Sequence, residues 1–314
     1  MSDCTILILT YKGKHHLEHL LPTVRNTILN SSEYSIDVLI VDNGCDEPTK
    51  NFVKESFPEF RLEWSPKNDY LFSLNQYVLQ LNSKFVYILN DDIRLHPEVI
   101  NESLPMIMND AQLFSVGFKV LDWEGVNTTI SVRKLKISNG WYQSFFVPFK
   151  DQQIRYSLYG AGGAAVFRTA FFNTLGGFNN LYRPAYAEDL DIGHRAWHRG
   201  WPSIINPRAI LYHREGGTIH EQFTSDALEQ KVRKNQFLWM WRNGRKPGFI
   251  ILFFLLLPMR LFSWRKTNRN LYLALRMALK DFPKAIFQRW NNPKQQCKDA
   301  EIIEKLNQVY EIRK

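Results

Sequence analysis

The sequence predicts an α/β fold, with a mostly parallel central sheet, flanking helices and a C-terminal helical tail. Three observations carry this. The first ninety residues alternate short apolar runs with longer helix-compatible stretches, as parallel sheets covered on both faces do. Several of those runs end abruptly in polar residues. The charge is also uneven: residues 231–314 hold 19 Lys+Arg against 5 Asp+Glu, a surplus of 14, whereas residues 1–230 hold 21 against 26, a deficit of 5.

Each element follows from its pattern. CTILILT (Cys4–Thr10) reads as a strand and His15–Leu29 as a helix. Ile36–Val41 is a second strand, closed by Asp42-Asn43-Gly44, and a helical stretch starts at Glu47. Phe60–Trp64 is a short strand, Leu71–Leu81 a helix, and Phe85–Leu89 a fourth strand running into Asn90-Asp91-Asp92. Residues 112–147 are rich in Thr, Ser, Val and aromatics, and more strands are expected there, some antiparallel. A small-residue segment, Gly160–Ala165, precedes Val166-Phe167-Arg168. Phe171–Leu175 is a short helix stopped by Gly176-Gly177. Glu188-Asp189-Leu190-Asp191 opens a helix, its acids favoured by the helix dipole, and Ser203–Tyr212 is a strand ending at His213.

Composition excludes several classes. Three scattered cysteines (Cys4, Cys45, Cys297) without a CxxC pair argue against a disulfide framework or zinc ribbon and fit a reducing compartment. The N-terminus enters a strand at once, so no signal peptide is expected. The first βα turn has no GxGxxG or P-loop glycine pattern, which disfavours a standard dinucleotide or triphosphate site. In the tail, FIILFFLLL (residues 249–257) is nine residues long, where a spanning helix needs about 20. Trp239, Trp241, Arg242 and Arg245 precede it, and Arg260, Trp264, Arg265 and Lys266 follow. With Leu271–Ile286 at helical spacing, the pattern suits helices lying in an anionic membrane interface. An aliphatic run of this kind argues for lipid over nucleic acid. The division expected is 1–220 for a catalytic domain and 221–314 for a helical, membrane-associating region.

In α/β sheets, ligands bind at the carboxyl ends of the strands. Thr10-Tyr11, Asp42-Asn43 and Asn90-Asp91-Asp92 would therefore share one rim. The acids admit two readings. They could cap the helix begun at Pro97-Glu98, or hold Mg²⁺ or Mn²⁺ with a further ligand such as His213. Asp42 could be only a turn former, and Glu188-Asp189 only a charged helix start or a general base.

The stretches TILILTYKG, VLIVDNG, FVYILNDDIRLHPEVI, GAGGAAVFRTAFFNTLGGFNNLYRPAYAEDLDIGHRAWHRGW and AILYHREGG together resemble family 2 glycosyltransferases of the GT-A fold. The similarity is to rhamnosyltransferase-like members acting in bacterial surface polysaccharide or lipid-linked glycan synthesis, and runs from Cys4 to His213. It implies an inverting, metal-dependent transfer of sugar from a nucleoside diphosphate to a hydroxyl of a glycan or lipid-linked acceptor, at the inner face of the cell membrane. Thr10, Tyr11, Asp42 and Asn68 would line the nucleotide, with Asp91 toward ribose or sugar. Asp92 and His213 would hold Mn²⁺ or Mg²⁺. Asp189 would be the base, with Glu188 beside it, and Gly162, Gly163 and Arg195 would belong to the donor and acceptor loop. UDP or dTDP is the favoured nucleotide. Asn90 replaces the first acid of the family's Asp-x-Asp motif. A degenerate sugar-nucleotide-binding subunit and a nucleotidyltransferase stay open from the residues alone.

Overall fold

A computed structural model describes residues 2–214, 224–292 and 295–312. The central sheet contains β1 (Cys4–Thr10), β2 (Ile36–Asp42), β3 (Arg61–Trp64), β4 (Phe85–Asn90), β5 (Ile93–Leu95), β6 (Ser115–Asp122), β7 (Thr128–Ile130), β10 (Arg155–Ser157), β11 (Ala164–Arg168) and β12 (Ser203–His213). β8 (Val132–Ser138) and β9 (Trp141–Val147) form a separate antiparallel hairpin. The strand order is β10-β12-β6-β11-β4-β1-β2-β3, with β5 on β12 and β7 on β6. β3, β2, β1 and β4 are parallel, as are β6 and β12. β11 runs antiparallel between the two groups.

Helices cover both faces because the strands are apolar on both. Along β1, Ile6 and Ile8 join one buried cluster with Leu17, Leu20 and Leu21, whereas Leu7 joins another with Val86, Phe172 and Trp197. That is the two-residue period of a strand buried on both sides. The helices of the N-terminal half are α1 (Lys14–Leu29), α2 (Glu47–Ser56), α3 (Leu74–Gln80) and α4 (Val99–Asn109). Those that follow are α5 (Thr169–Thr174), α6 (Glu188–His198), α7 (Ser225–Asn243), α8 (Phe249–Leu255), α9 (Leu257–Thr267), α10 (Arg269–Trp290) and α11 (Asp299–Leu306).

Two features differ from the sequence reading. The residues directly after Asp92 form β5, and the helix expected from Pro97-Glu98 is α4, which begins at Val99 behind Glu98 with no side-chain cap. Asp91 and Asp92 therefore cap no helix. The tail is also less separate than its composition suggests. Trp239 and Trp241, read as flanks of a membrane run, are fully buried, and Arg242 is nearly so. One buried cluster runs from Leu7 through Trp241 and Ala278 to Leu306. The core is continuous across the boundary expected near residue 220.

Candidate active site

Register builds the rim. Thr10 of β1 stands beside Asp42 of β2, and Leu9 beside Asn90 of β4, so three strands end together. β12 brings His213 opposite Ile93 of β5, and the Arg214 N–H donates to the Asp92 carbonyl at 2.9 Å. That short ladder draws the Asp92 carboxylate to the last side chain of β12. Across the rim, α6 starts at Glu188. A single cleft of about 860 Å³ is lined by Thr10, Tyr11, Asn68, Asn90, Asp91, Asp92, Gly162, Gly163, Glu188, Asp189 and His213.

The rim acids are not equivalent. Asp91 Oδ2 accepts a 2.5 Å hydrogen bond from Thr10 Oγ1, and burial pushes the Asp91 carboxyl up to about 7. A Cβ on Gly13 would lie 2.2 Å from both of those oxygens, so this pair needs glycine in the loop above it. Asp92 Oδ2 lies 3.3 Å from His213 Nε2, while Asp92 Oδ1 is buried and without a hydrogen-bond partner. A buried carboxylate oxygen left bare is costly unless a cation or donor reaches it. A carboxylate with an imidazole is a donor set that Mn²⁺ accepts. These residues therefore fit a divalent ion held together with phosphate oxygens.

The opposite wall is strained and desolvated. Tyr186 and Ala187, immediately before α6, have φ of +72° and +74°, conformations costing non-glycine residues about 1–3 kcal/mol each. They turn the chain so that Glu188 and Asp189 start the helix at the cleft. Burial, with the Asp189 charge beside it, pushes the Glu188 carboxyl up to about 8. Glu188 Oε2 is buried without a partner. Burial also raises Asp189, opposed by the Leu190 N–H and the nearby Arg133 guanidinium. Two adjacent carboxyls so placed do not both ionise readily. The pair as a whole is held toward the protonated side, its proton affinity raised by burial and by the mutual closeness of the two groups.

The small-residue segment comes close to both walls. A Cβ on Gly163 would fall 2.5 Å from the Asn90 side chain, and one on Gly162 2.8 Å from Leu71 Cδ2 and 3.5 Å from Asp189 Cβ. Asn68 lines the cleft, its Oδ1 accepting from Asn43 Nδ2 at 3.3 Å and the Tyr70 N–H at 3.2 Å.

Two expected residues lie elsewhere. Asp42 is fully buried and does not line the cleft. Its oxygens accept the Gly44 and Asp46 N–H groups at 2.7 and 2.8 Å, closing the turn after β2. Arg195 points away from the cleft side of α6. Its Nε donates to Asp191 at 2.7 Å and its Nη2 to the Gly177 carbonyl at 2.8 Å. Asp191 also accepts Arg242 (2.5 Å), Asn243 (2.7 Å) and the Tyr182 hydroxyl (2.8 Å). Burial works to raise the Asp191 carboxyl, but Arg195 and Arg242 hold it below the usual range. Of the two aspartates in Glu-Asp-Leu-Asp, the first faces the cleft and the second locks α6 to α7.

Gly13 and Arg133 are not singled out as site residues by the sequence. Arg133 sits in β8, and with Tyr159 and Asp189 it borders a small cavity of about 60 Å³. An arginine in a strand gave no signal; Gly13 stood in the first βα turn and was legible there.

Comparison with known proteins identifies the family and the fold. A model described as Glycosyltransferase like family 2 matches residues 3–240. Over 253 residues the chain is 23% identical to the N-acetylglucosaminyl-diphospho-decaprenol L-rhamnosyltransferase of Mycobacterium tuberculosis, covering 72% of this chain and 81% of that protein. S. aureus TarS 1-349 in complex with UDP-GlcNAc superposes with a TM-score of 0.59 at 16% identity, over 90% of this chain and 81% of the other. The mannosyltransferase PcManGT of Pyrobaculum calidifontis, in complex with GDP-Man and Mn²⁺, gives 0.53 at 15% identity, over 90% and 76%. At such identities the solved structures speak to the fold, which is GT-A. With the family model matched over most of its length, the chain belongs to glycosyltransferase family 2 and is a nucleotide-sugar transferase.

Proposed function

We propose that this enzyme moves a sugar from UDP or dTDP to a hydroxyl of a lipid-linked glycan acceptor, with inversion at the anomeric carbon. One observation carries the reading: the acid–imidazole pair Asp92–His213 and the acid pair Glu188–Asp189 line the same cleft. The relative from Mycobacterium tuberculosis supports the acceptor class through its name, and the Mn²⁺ of the PcManGT complex supports a divalent cation.

Asp92 and His213 would hold the cation, which when bound offsets charge on the departing nucleoside diphosphate. Thr10 fixes Asp91 by its hydrogen bond and so shapes the donor side of the cleft. Asn68 and Tyr11 border the nucleotide. Gly162 and Gly163 let backbone approach the sugar. Asp189 takes the proton from the acceptor hydroxyl as that oxygen attacks the anomeric carbon, opposite the diphosphate. Its raised proton affinity suits a general base, whose pKa should lie near the working pH. Glu188, whose carboxyl burial pushes up, would in its protonated form put no second negative charge beside the nascent alkoxide.

The acceptor class agrees with the surface. No helix among the described residues is long and apolar enough to cross a membrane. Yet Ile251, Leu255, Met259 and Phe262, on α8 and α9, are 66–71% exposed, with Arg265 and Lys266 in the last turn of α9. Such a face suits lipid headgroups and acyl chains. Replacing Asp189 by Asn tests the reading. Transfer should fall by at least ~1,000-fold, of the order of lost general-base catalysis, with donor affinity kept; equal loss of both sinks the assignment.

A further inference from the structure

A second cluster of metal-binding side chains lies outside the cleft. His194 and His198 are one turn apart on α6, so their rings share a face, with centroids 4.4 Å apart. Both direct Nε2 to the same oxygen, Oδ1 of Asp299, at 3.3 and 2.8 Å. Asp299 is the first residue of α11, about a hundred residues along the chain. The three side chains are 0%, 8% and 5% exposed. Their donor atoms all lie within 4.8 Å of one another.

We propose that His194, His198 and Asp299 bind a transition-metal dication of the zinc class, which ties the C-terminal segment to the helix that carries Glu188 and Asp189. The donor set decides the class. Two imidazoles and one carboxylate suit Zn²⁺, Co²⁺ or Ni²⁺ and disfavour Mg²⁺ and Ca²⁺, which take oxygen ligands. Bonds of about 2.0–2.1 Å at tetrahedral angles set ligand atoms roughly 3.3 Å apart. His194 and Asp299 already have that spacing, and His198 stands about half an ångström closer to Asp299 than it requires.

The surroundings of the carboxylate match a metal centre, while the second ring nitrogen of His194, Nδ1, is buried without a hydrogen-bond partner. The free oxygen of Asp299, Oδ2, accepts the Tyr142 hydroxyl at 2.5 Å and the Arg245 N–H at 2.7 Å. A ligating carboxylate is ordinarily fixed in this manner through its other oxygen. A cavity of about 240 Å³ reaches the cluster at His198 and is lined also by Arg195, Arg199, Arg242 and Arg245, so a fourth ligand entering from that side would be water or an anion. The centre is distinct from Asp92–His213, and its occupancy is independent of nucleotide. Asp299 also joins the β8–β9 hairpin to α11 through Tyr142, so one ion would fasten three segments.

Co²⁺ tests this with the full chain. Metal-stripped protein titrated with Co²⁺ should take up one equivalent with the intense visible absorption of four-coordinate cobalt. Zn²⁺ should displace it and raise Tm by several degrees, while UDP should leave it unchanged. Asp92→Ala should retain the spectrum and His198→Asn should lose it. Absence of stoichiometric four-coordinate cobalt in the wild-type protein overturns the proposal and leaves a hydrogen-bonded clamp. So does loss of the spectrum in Asp92→Ala. Should His198→Asn fail to fold, the Asp92→Ala spectrum alone decides between the two sites.

Discussion

Asp92 and His213 meet at 3.3 Å across the β5–β12 ladder, and the other Asp92 oxygen is buried with nothing to accept from. Such an arrangement is poorly compensated in the empty protein and well compensated by a cation. Asp92→Ala should therefore remove the Mn²⁺ dependence of UDP and dTDP binding. His213→Ala should weaken it by at least the ~10–100-fold that loss of a supporting partner costs a metal site. Calorimetric titration of each nucleotide with and without Mn²⁺ reads both effects. Unchanged metal dependence in Asp92→Ala refutes its ligand role.

How much of this was legible depends on the range of the interactions. Thr10 and Asn90 close apolar runs, and parallel register alone brings strand ends to one rim. β5 was not legible, since Ile93-Arg94-Leu95 becomes a strand only by pairing with residues 211–213, over a hundred positions away. Asp42 shows the reverse: its Asp-Asn-Gly turn chemistry was readable, and the turn consumes both oxygens. Trp239 and Trp241 misled because basic neighbours suggested an interface, whereas Arg242 is neutralised inside the protein by Asp191. The i,i+4 spacing of Asp191 and Arg195 held that information, but only packing shows which face it serves.

Glu188 gives a prediction with a definite sign. Its carboxyl is near 8 in the folded chain against an ordinary 4.5. The folded state therefore binds more protons than the unfolded one between those values, and stability falls as pH rises through that window. Glu188→Gln imitates the protonated form. Its Tm should match wild type near pH 4.5 and exceed it by ~2 °C or more at pH 8.5. Near pH 7 the variant should keep transfer within a few-fold. A Tm difference that does not grow with pH counts against a buried, protonated Glu188.

Asp191 should behave as a structural residue. Asp191→Asn leaves Arg195 and Arg242 buried with their compensating charge removed, which costs ~3–5 kcal/mol. Denaturant unfolding should show this as a lower midpoint with little change in slope. Whatever protein remains folded should bind donor with nearly wild-type affinity. A large loss of affinity without loss of stability would place Asp191 in the chemistry instead.

The exposed face of α8 and α9 predicts where the protein meets its acceptor. Ile251, Leu255 and Phe262 contribute little to the core at 67–71% exposure, whereas Phe253, two residues from Leu255, is fully buried. Substitution at the exposed positions should therefore spare folding. Ile251→Ser, Leu255→Ser and Phe262→Ser combined remove about three large apolar contacts from a bilayer, each worth ~1.5–3 kcal/mol when fully buried. Sedimentation with anionic phosphatidylglycerol vesicles should show the triple variant largely in the supernatant, with wild type pelleted at low salt. Because the basic residues remain, residual binding should be salt-sensitive. Donor affinity and transfer to a short water-soluble acceptor should be unchanged, and transfer to a vesicle-embedded acceptor should drop. If the triple variant pellets as wild type does, the apolar face is not the docking surface.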